Sequence, residues 1–118
     1  MKHQIGKKKL NRKPAHKKAM LRNQIIHFIE YGCLQTTKPR TKEVQRLVEK
    51  LVTVARNGYD FNTIRKIKKV LPYKKSVVEK LIKEIAPKYA NRSGGYTRVI
   101  PLGKRSSDTS VISRLEWV

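Results

Sequence analysis

The first twenty-two residues, MKHQIGKKKLNRKPAHKKAMLR, carry nine lysines and arginines and not one aspartate or glutamate. A block of one sign cannot close ion pairs on itself, so its order must come from apolar periodicity or from an outside anion. From Met1 to Lys13 there is no such periodicity, and this stretch reads as an extended basic arm that orders against an anionic surface. The alternative, a solubilising tail, needs far less single-sign charge than this. The whole chain continues the bias, with 29 Lys and Arg against 8 Asp and Glu in 118 residues and a formal charge of +21. Such a surplus implies a polyanionic partner and opposes compaction of the free chain. With 38% hydrophobic residues a modest core is still within reach, since a single domain of this size buries roughly two thirds of its unfolded surface. The division expected is an arm over 1–13 and one domain over 14–118.

No apolar run approaches the roughly 20 residues needed to cross a bilayer, and the basic N-terminus lacks the hydrophobic segment of a secretory signal. A cytosol-like compartment is expected. Cys33 is the only cysteine, which excludes an internal disulfide and the multi-cysteine zinc sites. Flanked by Gly32 and Leu34, it reads as a small buried hydrophobe.

Pro14 suits the first turn of a helix, and Leu21, Ile25, Phe28 and Ile29 then recur on one face until Gly32 stops the pattern. Lys17 and Lys18 lie on that face one turn earlier, so the front of the helix should leave the core and meet the partner. CLQTT, from Cys33 to Thr37, suits a brief strand. Thr37 can cap a second helix entered through Pro39, with Val44, Leu47, Val48, Leu51, Val52 and Ala55 on one face and Asn57 and Gly58 as a stop. Across it, Arg46 and Glu49 form an exposed pair. Two shorter helices follow, one over Asn62 to Leu71 using Phe61, Ile64, Ile67 and Leu71, the other over Ser76 to Ala86 using Val78, Leu81, Ile82 and Ile85. TRVIPL and SVISRLEW alternate with period two around the polar GKRSSD, as a β-hairpin does. The fold class expected is α+β: a compact single domain in the order helix, strand, three helices, hairpin, its helices packed on a small mixed sheet.

Catalytic chemistry has little to stand on, because no close pair of carboxylates suggests a metal or acid/base site. His3 and His16 sit among cations as further phosphate donors, and His27, between Ile26 and Phe28, reads as partly buried. Gly103, Lys104 and Ser106 imitate the end of a phosphate loop, but Arg98 stands where that motif needs glycine. The segment RSGGYTRVI holds more promise. Gly94 and Gly95 can reach positive φ and present unobstructed N–H groups to an anion. Arg92 and Arg98 would flank such a site with phosphate-matching forks, and Tyr96 could stack on a base or sugar. The alternative is a tight turn into a strand with Tyr96 in the core. Few aromatics, 7% of residues, favour recognition of backbone and shape over single-strand stacking, so folded RNA or a duplex is the expected polyanion. Neither a zinc finger, an aromatic RNP strand nor a KH-type loop is present.

Three stretches carry a specific likeness: HQIGKKKLNRKPAHKKAMLRN (His3 to Asn23), TTKPRTKEVQRLVEKLVTVAR (Thr36 to Arg56) and YANRSGGYTRVIPLGKRSSD (Tyr89 to Asp108). In order, spacing and length the chain resembles the family of bacterial large-subunit ribosomal protein seventeen. Residues 57 to 88 match by pattern alone, and SVISRLEWV departs from relatives that alternate toward an acidic end. The resemblance implies a structural constituent of the large subunit that binds folded ribosomal RNA near the exit of the peptide tunnel. It implies neighbouring ribosomal proteins as partners, a cytoplasmic or organellar ribosome as location, and no enzymatic activity, cofactor, metal, membrane or small-molecule substrate. Its RNA contacts carry over onto Lys2, His3, Lys7, Lys8, Lys9, Arg12, His16, Arg22 and Asn23, then Lys38, Arg40 and Lys42, then Arg92, Gly94, Gly95, Tyr96 and Arg98; Lys17 joins them from its place on the helix. The rival reading of the residues is a DNA-coating protein, whose usual repeated basic helices or minor-groove wedge are not visible. A nuclease lacks the acids it needs.

Overall fold

A computed structural model describes residues 14–72 and 74–118; the arm expected over 1–13 lies outside the described residues. Pro14 opens helix α1, Pro14–Tyr31. Gly32 ends it at φ +80, with its N–H donating to the Phe28 carbonyl at 2.8 Å. Strand β1, Cys33–Thr37, leads directly into α2, Lys38–Ala55. Thr37 holds the capping position but its side chain makes no capping bond. Thr41, fully buried, secures the junction instead by donating from Oγ1 to the Thr37 carbonyl at 3.0 Å. Gly58 closes α2 at φ +93, and Asp60 caps α3, Phe61–Val70, by accepting from the Asn62 N–H at 3.3 Å.

Helix α4, Lys75–Lys80, does not stop where the expected helix did. It widens into a π turn over Leu81–Ile85 and tightens into a 3₁₀ turn over Ala86–Tyr89. Pro87 is the cause: lacking an N–H and crowding the preceding turn, it cannot continue an α-helical ladder, yet it fits the first turn of a new helical segment. Strands β2, Thr97–Lys104, and β3, Val111–Trp117, form the hairpin.

The sheet order is β1-β3-β2, and both pairings are antiparallel. The class α+β and the order of elements are as the sequence indicates; the sheet is not mixed, because β2 returns through a tight loop and β1 flanks β3 from the other side in the opposite sense. A register shift between Pro101 and Gly103 bulges β2. Leu34, Leu115 and Val99 stand in one cross-strand row facing the helices, and Cys33, Glu116 and Arg98 in the next row face away. Cys33 is therefore half-buried rather than a core hydrophobe. In the hairpin loop Arg105 grips Asp108 with both arms, Nε to Oδ1 at 2.9 Å and Nη2 to Oδ2 at 2.6 Å. That hydrogen bonding, with the Ser110 N–H second, holds the Asp108 carboxyl well below the usual carboxylate range.

One hydrophobic cluster joins all these elements. Phe28, Ile29, Val44, Val48, Val52, Ile67, Leu81 and Leu115 are fully excluded from solvent, and Trp117 stacks on Phe28 with ring centroids 4.5 Å apart. Three expectations fail at its margin. Leu47 is only half-buried. Phe61, placed on the packing face of α3, is 76% exposed, because the Asp60 cap starts the helix one step ahead of its buried stripe. His27 is exposed and leans on Tyr31, with ring centroids 4.7 Å apart; its neighbours Ile26 and Phe28 are buried, and it falls on the helix's opposite side.

Leu51, 5% exposed at the α2 seam, gives a direct test of this packing. Leu51→Ala is expected to lower the free energy of unfolding by about 2 to 5 kcal/mol. Denaturant titration followed by the fluorescence of Trp117, the single tryptophan, measures it, and an unchanged midpoint would contradict the seam.

Candidate nucleic-acid interface

Helix α2 is apolar toward the core and charged toward two surface grooves. The first groove, about 570 Å³, runs between α1, α2 and the end of α3. Its floor includes Leu21, Ile25, Leu47 and Val70, and its sides carry Lys17, Lys18 and Arg22 from α1, Arg46 and Lys50 from α2, and Lys69 from α3. Lys17 and Arg22 are half-buried, whereas His16, Lys18 and Asn23 are exposed. Glu43, only 7% exposed, lies in the same wall and accepts from Arg46 Nη1 at 3.2 Å. Arg46 therefore pairs one turn back, not with Glu49 as the spacing suggested.

Glu49 is used elsewhere. Its Oε2 accepts from the Thr97 N–H at 3.2 Å and from Thr97 Oγ1 at 2.7 Å, fixing the start of β2 against α2. Gln45 Nε2 donates to the Thr97 carbonyl at 3.5 Å. Gln45, Glu49, Thr53 and Arg56 recur at three- and four-residue steps along one side of α2, and the last two reach the glycine segment. Thr53 Oγ1 gives its proton to the Glu49 carbonyl at 3.0 Å, so Tyr96 donates its own to Thr53 at 3.3 Å. Arg56 Nη1 then donates to the Tyr96 oxygen at 3.0 Å, and Nη2 to the Ala90 carbonyl at 2.9 Å.

Tyr96 has no ring face to offer a base. It is fully buried, packed against Tyr89 with ring centroids 5.4 Å apart, and the stacking role read from the sequence is withdrawn. Its neighbours divide. Gly95 takes φ +64, which accounts for glycine there. Gly94 has no positive φ, and a Cβ at either glycine would meet nothing within 4 Å, so no close approach inside the protein requires it. Arg92 Nε donates to the Gly94 carbonyl at 3.3 Å and braces the turn. Arg98 does not flank that turn: sheet parity carries it to the outer face, where Nε binds Glu116 Oε1 at 2.8 Å and Arg114 approaches the same carboxylate at 3.5 Å.

The second groove lies between the turn and α2, lined by Ser93, Gly94, Glu49, Thr53 and Lys50 among others. Lys50 stands on the ridge shared by both grooves, so the structure brings the α1 cations and the glycine turn onto one tract. Lys38 and Lys42, both exposed, instead line a separate depression with Ser110 and Val111. Arg40 is half-buried between them in sequence. That depression adjoins the first turn of α2, which holds no acidic residue, and the positive end of a helix dipole adds to the attraction for an anion. Lys2, His3, Lys7, Lys8, Lys9 and Arg12 lie outside the described residues.

Sequence reading missed Arg46, Lys50 and Lys69. The first two could have been found, four residues apart and bordering the apolar stripe of α2; Lys69 could not, because only the packing of α3 brings it to the groove. Among the described residues, no three His, Cys, Asp or Glu side chains gather as metal ligands would, and no helix is long and apolar enough to cross a membrane.

Comparison with known proteins adds to this geometry. The model of a family described as ribosomal protein L17 matches residues 20–118. A protein of Aliarcobacter butzleri named large ribosomal subunit protein bL17 is 43% identical over 118 residues, all of both chains. The protein of that name from Helicobacter hepaticus is 46% identical over the same full length. One from Clostridium botulinum is 41% identical over 113 residues, 96% of this chain and 98% of its own.

The buried hydroxyl of Tyr96 separates packing from ligand contact. Tyr96→Phe removes the acceptor of Arg56 and the partner of Thr53, and is expected to cost about 1 to 3 kcal/mol of stability while leaving nucleic-acid affinity of the folded protein at the parent value. Thermal unfolding and binding measured side by side check this; a loss of affinity without a loss of stability would restore a direct contact.

Proposed function

The chain belongs to the ribosomal protein L17 family, and from that premise we propose that it is a structural, non-enzymatic component of the large ribosomal subunit that binds and stabilises folded large-subunit ribosomal RNA near the exit of the peptide tunnel. The observation that carries the RNA reading is the division of charge. Glu30, Glu43, Glu49, Asp108 and Glu116 each accept a hydrogen bond or ion pair from within the chain, while lysines line the grooves on both sides of α2. An RNA backbone, one anion per nucleotide, matches a surface so rich in cations.

In this reading His16, Lys17, Arg22 and Asn23 meet phosphate or sugar along α1, with Lys38, Arg40 and Lys42 at the head of α2. Arg92, Gly94 and Gly95 present the turn to a third segment of backbone, with no Cβ to hold it off. Arg98 is already charge-matched by Glu116 and contributes through its exposed side, sharing that carboxylate with Arg114. Lys2, His3, Lys7, Lys8, Lys9 and Arg12 extend the same chemistry toward RNA beyond the globule. Its location is then the ribosome of the bacterial cytoplasm, beside neighbouring large-subunit proteins.

Phosphate neutralisation sets the expected salt dependence. Affinity for a large-subunit RNA fragment should fall with a log–log slope of about 0.7 to 0.9 per phosphate neutralised, whereas a flat titration would defeat the reading. Gradient sedimentation of extract should place the protein in the large subunit. Crosslinking from nascent chains of increasing length tests the site, and no adduct at any length would put it away from the tunnel exit.

A further inference from the structure

The groove between α1, α2 and α3 has chemistry that phosphate binding alone does not explain. Its cations stand at the rim, where Lys18 and Lys50 are exposed and Lys69 approaches from α3. Its floor is apolar: Leu21 and Ile25 are buried, and the half-buried Leu47 and Val70 carry the same surface outward. A phosphate lowered onto that floor would exchange water for aliphatic carbon with nothing there to replace its hydration. A flat, weakly polar group loses little there, provided that the chain bearing it carries negative charge at the rim.

A nucleotide has this division within itself. We infer that the groove receives one unstacked base of the ribosomal RNA, laid on Leu47 and Val70, while its sugar-phosphate strand follows the rim. The inference rests on the RNA reading above and adds a specific subsite to it. At about 570 Å³ the groove falls in the size range of small-ligand sites, roughly 300 to 1,000 Å³. Cations from three different helices surround it, and Lys50 carries the positive tract over the ridge to Gly94. Charge thus continues beyond the groove in the manner of a strand with one anion per step. An acidic peptide with one apolar side chain would match the floor but has no such regular charge to follow the ridge.

The test separates floor from rim. Leu47→Asn and Val70→Thr replace half-buried apolar surface by neutral polar groups of similar size, with thermal unfolding confirming the fold. Each is expected to weaken binding of large-subunit ribosomal RNA roughly tenfold, in the range of a lost base contact, with the salt slope unchanged. Lys50→Ala and Lys69→Ala should each lower the slope by about 0.7 to 0.9. Parent affinity in both floor variants, with the rim slopes reduced, overturns base insertion and leaves RNA binding standing; parent slopes in both rim variants remove RNA from this face and overturn base insertion, whereas a flat salt titration of the parent protein overturns RNA binding itself. As a second measurement, Leu47→Cys in a Cys33→Ser background places the only thiol at the floor. A photocrosslinker on it in assembled large subunits should label one nucleotide, and an adduct on a protein neighbour, a second copy or this chain's residues 1–13 would overturn the inference.

Discussion

Mutual repulsion among the lysines and arginines, at a net charge of +21, is the constraint to which the rest of the structure answers. The apolar cluster opposes it from within, and the scarce carboxylates oppose it at the joints. Glu30 receives Lys74 at 3.1 Å while its backbone carbonyl accepts from Lys80 at 3.0 Å, tying α4 to the end of α1. Glu116 joins β3 to β2, Asp108 closes the loop between them, and Glu49 ties β2 to α2. Exposed pairs of this kind contribute little each. Glu49 differs, because the Thr97 groups it accepts from are buried and would otherwise lack that partner.

Helix α2 therefore serves two interiors. Its aliphatic stripe completes the core, and its polar stripe from Gln45 to Arg56 anchors the segment from Ala90 to Thr97. Tyr89 adds a tie from the other direction, its hydroxyl donating to the Val118 carbonyl at 3.0 Å while the Val118 N–H donates to the Tyr96 carbonyl at 3.0 Å. The glycine turn is thus held at both ends by buried or half-buried side chains, and what it presents outward is backbone. A preformed surface of that kind binds without a large ordering cost.

Much of this was legible from residue order. The stripes of α1 and α2 declared themselves because both helices are long enough for period and stop signals to agree, and the hairpin because alternation flanked a polar loop. Parallel or antiparallel strand sense was not legible: nothing in CLQTT says which edge of the hairpin it will join. Glu49 escaped because local spacing offers it Arg46, whereas the structure offers it two donors 48 residues away. Tyr96 was a real ambiguity between stacking and packing, decided by Arg56, itself hidden among so many cations. The α1–α2–α3 groove depends on three helices meeting, so no single segment could announce it, and the half-buried Leu47 looks in sequence like any other member of its stripe.

The bulge near the end of β2 has a consequence for the free protein. Both outer strands of the sheet are poor templates: β1 has five residues, and β2 carries Pro101, which offers no N–H, next to a register break. Arg98 and Lys104 add repulsion between like edges. Free copies at high local concentration are thereby discouraged from adding strand to strand. A chain of this charge needs such a safeguard, since charge alone keeps molecules apart only until salt screens it.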